Sequence, residues 1–298
     1  MRQYICFDIG GTSIKHGIID ENGVFLKKGS TPTEAQKYGG PGIMRKLHEI
    51  AAEYLTVCDA AGICVSTAGM VDCDSGVITY SAPLIPNYIG TQIKGELERD
   101  FSLPCEVEND VNCACLAEYF SGAAKGSESC LCLTVGTGIG GAYIEKGRML
   151  HGFSGSGCEV GYMRMPGGEF QELAAASAMV RDAENRMNVP QGSLDGEKVF
   201  ALAHEGDKNC IEAIDGMCRV LGMGIANICC VLNPQAVVLG GGIMAEKEFL
   251  YGRIRSEMDK FLVPRVAQHT TLTFAEHGND AGMLGALEHF RSMQKTRV

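Results

Sequence analysis

Two segments of the sequence repeat one pattern of apolar and glycine-rich residues, and this repeat constrains the fold more than any other feature. The segment FDIGGTSIKHGIIDENG begins at Phe7, and the segment LTVGTGIGGAYIEKG begins at Leu133. Each runs from an apolar strand through a Gly/Thr turn into a second apolar strand and then an acidic turn that ends in glycine. A repeat of this length predicts two similar domains rather than a solenoid. We expect each domain to hold a sheet that begins with a strand–turn–strand unit and presents this turn to a ligand.

The rest of the chain alternates segments typical of helices and strands. Helical spacing from Ile43 to Leu55 and from Ile214 to Leu232 predicts two helices, and the apolar residues 236–239 predict a short buried strand. Such alternation predicts the α/β class, and a length of 298 residues suits about two domains. We expect a first domain over residues 1–112, with a helix at 281–295 packed on it, and a second domain over residues 113–280.

The charge and the cysteines narrow the function classes. A net charge of −10 leaves no basic excess to neutralise nucleic acid or an anionic membrane. The stretch from Val220 to Ala245 has no Asp, Glu, Lys or Arg, but Asn233 and Pro234 interrupt it, so we interpret it as a helix, a turn and a strand rather than a membrane span. The 14 cysteines, in a chain whose N-terminus lacks an apolar export signal, predict buried, reduced thiols in the cytoplasm.

Three glycine-rich turns each follow an apolar strand, and together they predict a nucleotide site. Backbone N–H groups converge on an anion most easily where glycine supplies the turn, and the hydroxyls of Thr12 and Thr137 would add donors. No GxxxxGK[ST] sequence is present, which excludes a P-loop. One turn matches GxGxxG, but it leads into a strand instead of a helix, which argues against a dinucleotide fold. The three turns contain Gly10, Gly11 and Thr12; Gly136, Thr137 and Gly138; and Gly240, Gly241 and Gly242.

Two aspartates near these turns are candidates for the chemistry of phosphoryl transfer. Asp8 lies beside phosphate-binding amides and would repel a nucleotide unless Mg²⁺ lay between them, so we expect it to hold Mg²⁺ through water, or else to stabilise its turn. Lys15 would either reach a phosphate or lie in solvent. Asp110 directly precedes a helix predicted from Val111 to Tyr119 and would cap it, or it would accept the proton of an alcohol that attacks the phosphate.

These residues resemble the ROK family (repressors, open reading frames and kinases), a branch of the actin/hexokinase-like ATPases. The resemblance covers nearly the whole chain and has five motifs in order. They are DIGGTSIK at 8–15 for phosphate, ENDVNCACLAE at 108–118 for catalysis, LTVGTGIGGA at 133–142 for phosphate, VVLGGGI at 237–243 for adenosine, and HGNDAGMLGAL at 277–287 near the C-terminus.

The resemblance implies two actin/ribonuclease H-like α/β domains around a central cleft that holds ATP, Mg²⁺ and a sugar. Asp110 matches the family's general base, and the phosphate motifs match at the glycine turns named above. Residues implied to contact sugar are Asn109, Asp110 and Glu159, with Gly69 and Asn87 from the first domain. The family resemblance also implies that the protein forms a homodimer.

This sequence departs from the family near the sugar site. Many members carry a histidine three residues after the position of Glu159, followed by a cysteine cluster that binds structural zinc. Here that position is Tyr162, and residues 164–170 contain no cysteine, so we predict no zinc site. The family's second sugar-binding glutamate matches either Gln171 or Glu172, depending on a one-residue gap. The departures resemble the zinc-less branch that includes β-glucoside kinases.

The leading hypothesis is an ATP-dependent sugar kinase that phosphorylates a primary hydroxyl, typically O6 of a hexose or β-glucoside. Glucokinase and N-acetylmannosamine kinase specificities are alternatives. A sugar-responsive repressor of the same family would carry a helix-turn-helix before the first phosphate motif, and Asp8 leaves no room for one in this sequence. An actin-type ATP switch would need no sugar and no candidate base at position 110.

Overall fold

The computed structural model describes residues 1–81, 83 and 85–296, and the chain divides into two compact units. The first comprises Met1–Phe120, His151–Gly157 and the C-terminal segment from Asn279. The second comprises Ser121–Leu150 and Cys158–Gly278. The first continuous segment of the first unit extends to Phe120, whereas the sequence placed the domain boundary at residue 112. The physical reason is that Cys113, beyond that boundary, is buried in the first unit among residues of the C-terminal helix.

The first unit is built on a mixed five-stranded sheet. Strands β1 (Gln3–Ile9), β2 (Ser13–Asp20) and β3 (Phe25–Pro32) are antiparallel, and β4 (Ala60–Thr67) and β7 (Cys105–Asn109) run parallel to β1, in the order β3-β2-β1-β4-β7. A hairpin of β5 (Met70–Asp72) and β6 (Val77–Tyr80) follows β4. The helices are α1 (Ala35–Leu55), α2 (Ile93–Phe101) and α3 (Asp110–Ser121).

The second unit repeats this topology. Strands β8 (Ser129–Val135), β9 (Ile139–Glu145) and β10 (Arg148–Met149) are antiparallel, and β13 (Ala236–Gly240) and β14 (Thr271–Phe274) are parallel to β8, in the order β10-β9-β8-β13-β14. The matching strand orders confirm the expectation of two similar α/β domains.

The remaining elements of the second unit lie between or after these strands. A small hairpin joins β11 (Arg164–Met165) to β12 (Gly168–Glu169), and short 3-10 helices cover Val160–Tyr162 and Gly242–Ala245. The helices are α4 (Phe170–Ala174), α5 (Ala176–Met187), α6 (Gly196–His204), α7 (Lys208–Leu232), α8 (Lys247–Asp259) and α9 (Pro264–His269). After a last 3-10 turn at Gly278–Asp280, helix α10 (Ala281–Thr296) returns to the first unit.

The first sheet is buried on both faces because its strands carry apolar side chains at successive positions. Ile5, Phe7 and Ile9 point to the core shared with α1, and Tyr4 and Cys6 point to the opposite core, which α10 covers. Successive residues of a strand face opposite sides of the sheet, so a continuous apolar run requires a helix on each face.

Helix α7 is the central helix of the second core. It is long and apolar enough to cross a membrane by length and composition, but 56% of its most apolar stretch is buried within the protein, as in the core helix of a soluble domain. Asp207 caps its start by accepting a hydrogen bond from the Cys210 amide at 2.9 Å, and Asn233 ends it in the left-handed conformation. Strand β13 follows, as the sequence predicted.

Candidate active site

The carboxyl ends of three neighbouring strands bring the candidate catalytic residues of the first unit together. Strands β1, β4 and β7 are adjacent and parallel, and their registers pair Asp8 with Ser66 and Thr67 with Asn109. Parallel strands of α/β sheets commonly bind ligands at this edge. Residues that lie far apart in the sequence therefore form one polar surface, which begins at Asp8 and ends at Asp110.

Asp8 is held by side chains rather than by its own turn. Its Oδ1 accepts a hydrogen bond from Ser66 Oγ at 2.8 Å, and its Oδ2 lies 3.5 Å from Lys15 Nζ. The Lys15 ammonium also donates to Asn279 Oδ1 at 3.2 Å. Among the described residues, these contacts orient the carboxylate with no bond to the amides of the following turn, so the turn-stabilising alternative for Asp8 gains no support.

The first glycine turn is exposed next to Asp8. The Gly10 amide donates to Ser13 O at 3.0 Å, and the Gly10 carbonyl accepts from Thr33 Oγ1 at 2.7 Å, which fixes the turn at its base. Gly11 and Thr12 are exposed at its tip. This arrangement leaves the tip open to solvent at the strand edge where an anion would approach.

Asp110 lies beside Asp8 and has an unusual protonation equilibrium. Its Oδ1 accepts hydrogen bonds from the Val111 amide at 2.9 Å and from Asn109 Nδ2 at 3.1 Å. Burial, followed by the negative charge of Asp8, raises the pKa of Asp110 to about 7. A carboxyl group with a pKa near the working pH exchanges protons readily, as a general base requires.

Asn109 supplies most of the cap of α3. Its Oδ1 accepts from the Val111 amide at 2.9 Å and from the Asn112 amide at 3.1 Å, and its Nδ2 donates to Gly69 O at 2.9 Å. Gly69 has a φ of +101°, a backbone conformation that favours glycine. The structure thus brings Gly69, Asn109 and Asp110 together at one end of the sheet.

Tyr88 belongs to the same region and was missed by the sequence reasoning. Its hydroxyl lies 2.5 Å from Thr67 Oγ1, and its ring is buried. Burial raises the pKa of Tyr88, with a further contribution from the nearby Asp110 carboxylate. The neighbouring Asn87, which the resemblance singled out, is exposed and lines a hollow of about 490 Å³ beside α1. No local pattern marks Tyr88, because its partner Thr67 lies on a different element.

In the second unit, two glycine turns lie at the ends of adjacent parallel strands. The turn after β8 is closed by the Gly136 amide, which donates to Gly138 O at 2.9 Å, and Ser177 Oγ donates to Thr137 O at 2.7 Å. Gly241, after β13, has a φ of +111°, and a Cβ there would lie 2.1 Å from Val135 O. Only glycine fits this approach, so the two turns lie side by side.

The candidate sugar residues of the second unit separate into two groups. Glu159 directly precedes the 3-10 helix Val160–Tyr162 and Tyr162 is its last residue, and both are exposed. Gln171 Oε1 points toward Gly138 and Gly161, where a Cβ would come within 2.9 and 3.1 Å of it. Glu172 instead forms a capping box with Glu169 at the start of α4.

The donor atoms at the first strand edge fit a magnesium ion. Asp8 and Asp110 present carboxylate oxygens, the hard ligands that Mg²⁺ prefers. The charge of Asp8 raises the pKa of Asp110, and a divalent cation near both groups would relieve this repulsion.

Comparison with known proteins identifies the family. A sequence model of the ROK family matches residues 4–292. The chain belongs to the ROK family. Its motifs at 8–15, 108–118 and 133–142 occupy the strand edges described above, and its two units have the repeated α/β topology expected of actin-like ATPases.

Relatives cover nearly the whole chain. An uncharacterized protein of Clostridium perfringens is 47% identical over 98% of this chain and 98% of its own length. A β-glucoside kinase of Klebsiella pneumoniae is 31% identical, with 97% and 96% covered. Among solved structures, a ROK family glucokinase of Streptomyces griseus, in complex with glucose and AMPPNP, is 27% identical with a TM-score of 0.84, and 97% and 99% of the two chains are covered.

Proposed function

We propose that this chain is an ATP-dependent sugar kinase that transfers the γ-phosphoryl group of ATP to a sugar hydroxyl, with Asp110 as the general base. The proposal rests chiefly on one observation. Asp110 directly follows β7 at the start of α3, and burial together with the charge of the nearby Asp8 raises its pKa to about 7. The family membership and the relatives' names, among them a glucokinase solved with glucose and AMPPNP, support the same reaction.

In the proposed reaction, Asp110 hydrogen-bonds the attacking hydroxyl and takes its proton as the bond to phosphorus forms. Phosphoryl transfer depends mainly on positioning and on offsetting phosphate charge. When bound, Mg²⁺ would neutralise part of the charge on the phosphates. Asp8 would hold that ion through water, and Lys15 would orient Asp8, to which it lies close.

The glycine turns take the nucleotide in this proposal. Backbone amides around Gly10–Thr12 and Gly136–Gly138 would contact phosphate oxygens, and Gly240–Gly242 would lie at the adenosine. The open tip at Gly11 and Thr12 supports the first assignment, and the close approach of Gly241 to Val135 supports a binding turn after β13.

Each unit has its own candidate sugar-binding groups. In the first unit we assign Asn109, Gly69 and Asn87; Asn109 would bind sugar by exchanging one of its contacts, because its Oδ1 and Nδ2 are engaged by the start of α3, by Gly69 and by Asp110. From the second, we assign Glu159, Tyr162 and Gln171. The contacts support Gln171 over Glu172, because the Glu172 carboxylate is engaged in the helix cap.

We further propose that the substrate is a hexose or a β-glucoside phosphorylated at O6. Tyr162 stands where many family members have a histidine, so the imidazole that would hold the anomeric hydroxyl is absent, and an aglycone or a second sugar could then extend past the exposed Tyr162. A 31%-identical relative named β-glucoside kinase supports this choice. Glucokinase and N-acetylmannosamine kinase specificity remain the alternatives, and the homodimer, the cytoplasmic location and the absence of zinc remain predictions.

A coupled ADP-release screen tests the activity and the substrate together. The panel contains about thirty sugars, including glucose, mannose, fructose, N-acetylmannosamine, cellobiose, gentiobiose and aryl β-glucosides, each with ATP and Mg²⁺. We expect ADP release that depends on sugar. Equal ATP hydrolysis with and without every sugar would reject the kinase, and robust turnover of glucose with failure on all β-glucosides would reject the β-glucoside assignment.

A further inference from the structure

Four side chains from separate segments of the first unit converge behind the candidate site. Cys73 follows β5, Glu108 lies in β7, His151 begins the segment His151–Gly157, and His289 lies on α10. The donor atoms of Cys73, Glu108 and His151 all lie within 4.8 Å of one another. None of these four residues entered the chemistry proposed above.

The spacing of the donor atoms suits a small tetrahedral cation. With metal–ligand bonds of about 2.0–2.3 Å, two ligand atoms in a tetrahedral zinc site lie roughly 3.3–3.7 Å apart. Cys73 Sγ lies 3.7 Å from His151 Nε2, and Glu108 Oε2 lies 3.3 Å from His289 Nδ1. His151 Nε2 and Glu108 Oε2 are 2.6 Å apart, so these two groups would have to separate by under 1 Å. Among the described residues, the donor atoms that all lie close to one another are those of Cys73, Glu108 and His151.

The orientation of Glu108 points one oxygen at this cluster. Its Oε1 accepts hydrogen bonds from Asn112 Nδ2 at 3.0 Å and from the Asn109 amide at 2.7 Å. Its Oε2 therefore faces the two histidines, and the side chain is only 1% exposed. Hydrogen bonds to the second oxygen are the usual way in which a protein fixes a carboxylate ligand.

The second histidine, His289 on α10, contacts the same carboxylate oxygen. Its ring is buried, and its Nδ1 lies 3.3 Å from Glu108 Oε2. Within the described part of the chain, His289 Nε2 has no hydrogen-bond partner, so the ring's polar contact is the one to Glu108. His289 therefore helps to fix the carboxylate that would bind the ion.

We propose that Cys73, Glu108 and His151 form a binding site for a divalent transition-metal ion, with Zn²⁺ as the best match and water as the fourth ligand. A thiolate, a carboxylate and an imidazole are ligand types that zinc takes in proteins, and the two negative ligands balance its charge. His151 is partly exposed, with 34% of its side chain accessible, which leaves a path for the ion.

The ion would fasten the β5–β6 hairpin, β7 and the segment His151–Gly157 to one point, and α10 would be attached to it through the contact of His289 with Glu108. Glu108 directly precedes Asn109, so the ion would act as a structural clamp beneath the candidate site. This cluster is unrelated to residues 164–170, on which the prediction of no zinc rests. One zinc bound here would overturn that prediction, whereas the proposed kinase activity does not depend on it.

Metal binding is measured on the untagged full chain, independently of any kinase assay. The metal content of purified protein is determined first, and the metal-depleted protein is then titrated with Zn²⁺ and with Co²⁺. Cobalt reports a thiolate ligand through a sulfur-to-metal charge-transfer band. The variants are Cys73→Ser and His151→Gln, and the matched control is Cys58→Ser, a partly buried thiol of the same unit.

We expect wild type and Cys58→Ser to bind one equivalent of Zn²⁺, to show the cobalt–thiolate band and to melt at a higher temperature with zinc. Cys73→Ser should lose the band, and both site variants should bind Zn²⁺ at least about 100-fold more weakly. Absence of stoichiometric binding by wild type, or equal affinity in wild type and both site variants, would overturn the proposal and leave a hydrogen-bonded ion pair of His151 and Glu108. The wild-type cobalt spectrum decides the case even if a variant fails to fold.

Discussion

Replacing Asp110 with asparagine is expected to lower activity and to raise stability in the same protein. The asparagine oxygen can still accept the hydrogen bonds from the Val111 amide and from Asn109 Nδ2, so the shape of the site is retained. The variant cannot carry a negative charge beside Asp8, and it cannot accept the proton of a hydroxyl group. The first loss removes electrostatic repulsion, and the second removes the proposed base.

The size of the stability change follows from the pKa of Asp110. The folded protein raises it from 3.8 to about 7. At ~1.4 kcal/mol for each pH unit, ionising this group costs the folded state at most ~4 kcal/mol. The side chain is only partly buried, so solvent screening reduces the expected gain of the variant to about 1–2 kcal/mol. For a chain of this size, that gain raises Tm by roughly 2–8 °C.

The sign of the pH dependence is fixed by which state binds the proton. Between pH 3.8 and about 7, Asp110 is protonated in the folded protein and ionised in the unfolded chain. Wild type therefore loses stability as the pH rises through this window, and asparagine does not. The difference in Tm between the variant and wild type should grow from pH 5 to pH 8.

Calorimetry without divalent cations measures Tm, and the coupled ADP-release assay measures turnover. We expect kcat of Asp110→Asn to fall by roughly 10²-fold or more, while ATP binding is retained. The exposed Asp59→Asn is the control and should change neither quantity. Wild-type turnover in Asp110→Asn would remove Asp110 from the mechanism. A difference in Tm that is the same at pH 5 and pH 8 would refute the argument from ionisation.

Four further substitutions test other parts of the structure. Gln171→Ala should raise KM for the sugar with little change in Tm. Glu172→Ala removes a capping box, so it should lower the free energy of unfolding by about 1 kcal/mol and leave KM unchanged. The reverse pattern would show that Glu172 faces the sugar. Lys94→Met should lower the free energy of unfolding, measured in urea, by about 3–5 kcal/mol, because it leaves the buried Glu106 carboxylate without the Lys94 ammonium. A decrease below about 1 kcal/mol would contradict this. Gly241→Ala should raise KM for ATP or unfold the second unit, since its φ is +111°, and unchanged KM and Tm would reject the tight turn.

The elements that the sequence predicted correctly are those that local patterns determine. The repeated strand–turn–strand segments predicted both sheets, and the charge-free stretch beginning at Val220 predicted a helix, a turn and β13. Helix α1 shows the limit of such patterns. Its helical spacing begins at Ile43, but the helix begins at Ala35 and is broken at Gly39, whose φ is +57°. Glycine and proline in the first turns hide the periodicity.

What the sequence did not reveal depends on contacts between distant segments. The segment His151–Gly157 joins the first unit although both of its neighbours in the chain belong to the second. His151 reaches Glu108, and Tyr88 reaches Thr67, across elements that no spacing rule links. Such pairs become visible only when the strand order is known. The sequence could not decide between Gln171 and Glu172 for the same reason. The capping box that engages Glu172 depends on the backbone conformation of Glu169, which no sequence pattern specifies.

The junction of β7 and α3 shows why three consecutive polar residues can have three different tasks. The Glu108 side chain is buried on the face of the sheet opposite to that of its strand neighbours, because alternate residues of a strand face opposite sides. Asn109 caps α3 with its Oδ1 and holds Gly69 with its Nδ2. Because Asn109 meets most of the capping requirement, the hydrogen bonds of Asp110 within the described residues fall on Oδ1 alone. The proposed base therefore keeps one oxygen for a hydroxyl group, and an exchange of Asn109 and Asp110 in the sequence should abolish turnover although the composition of the junction is unchanged.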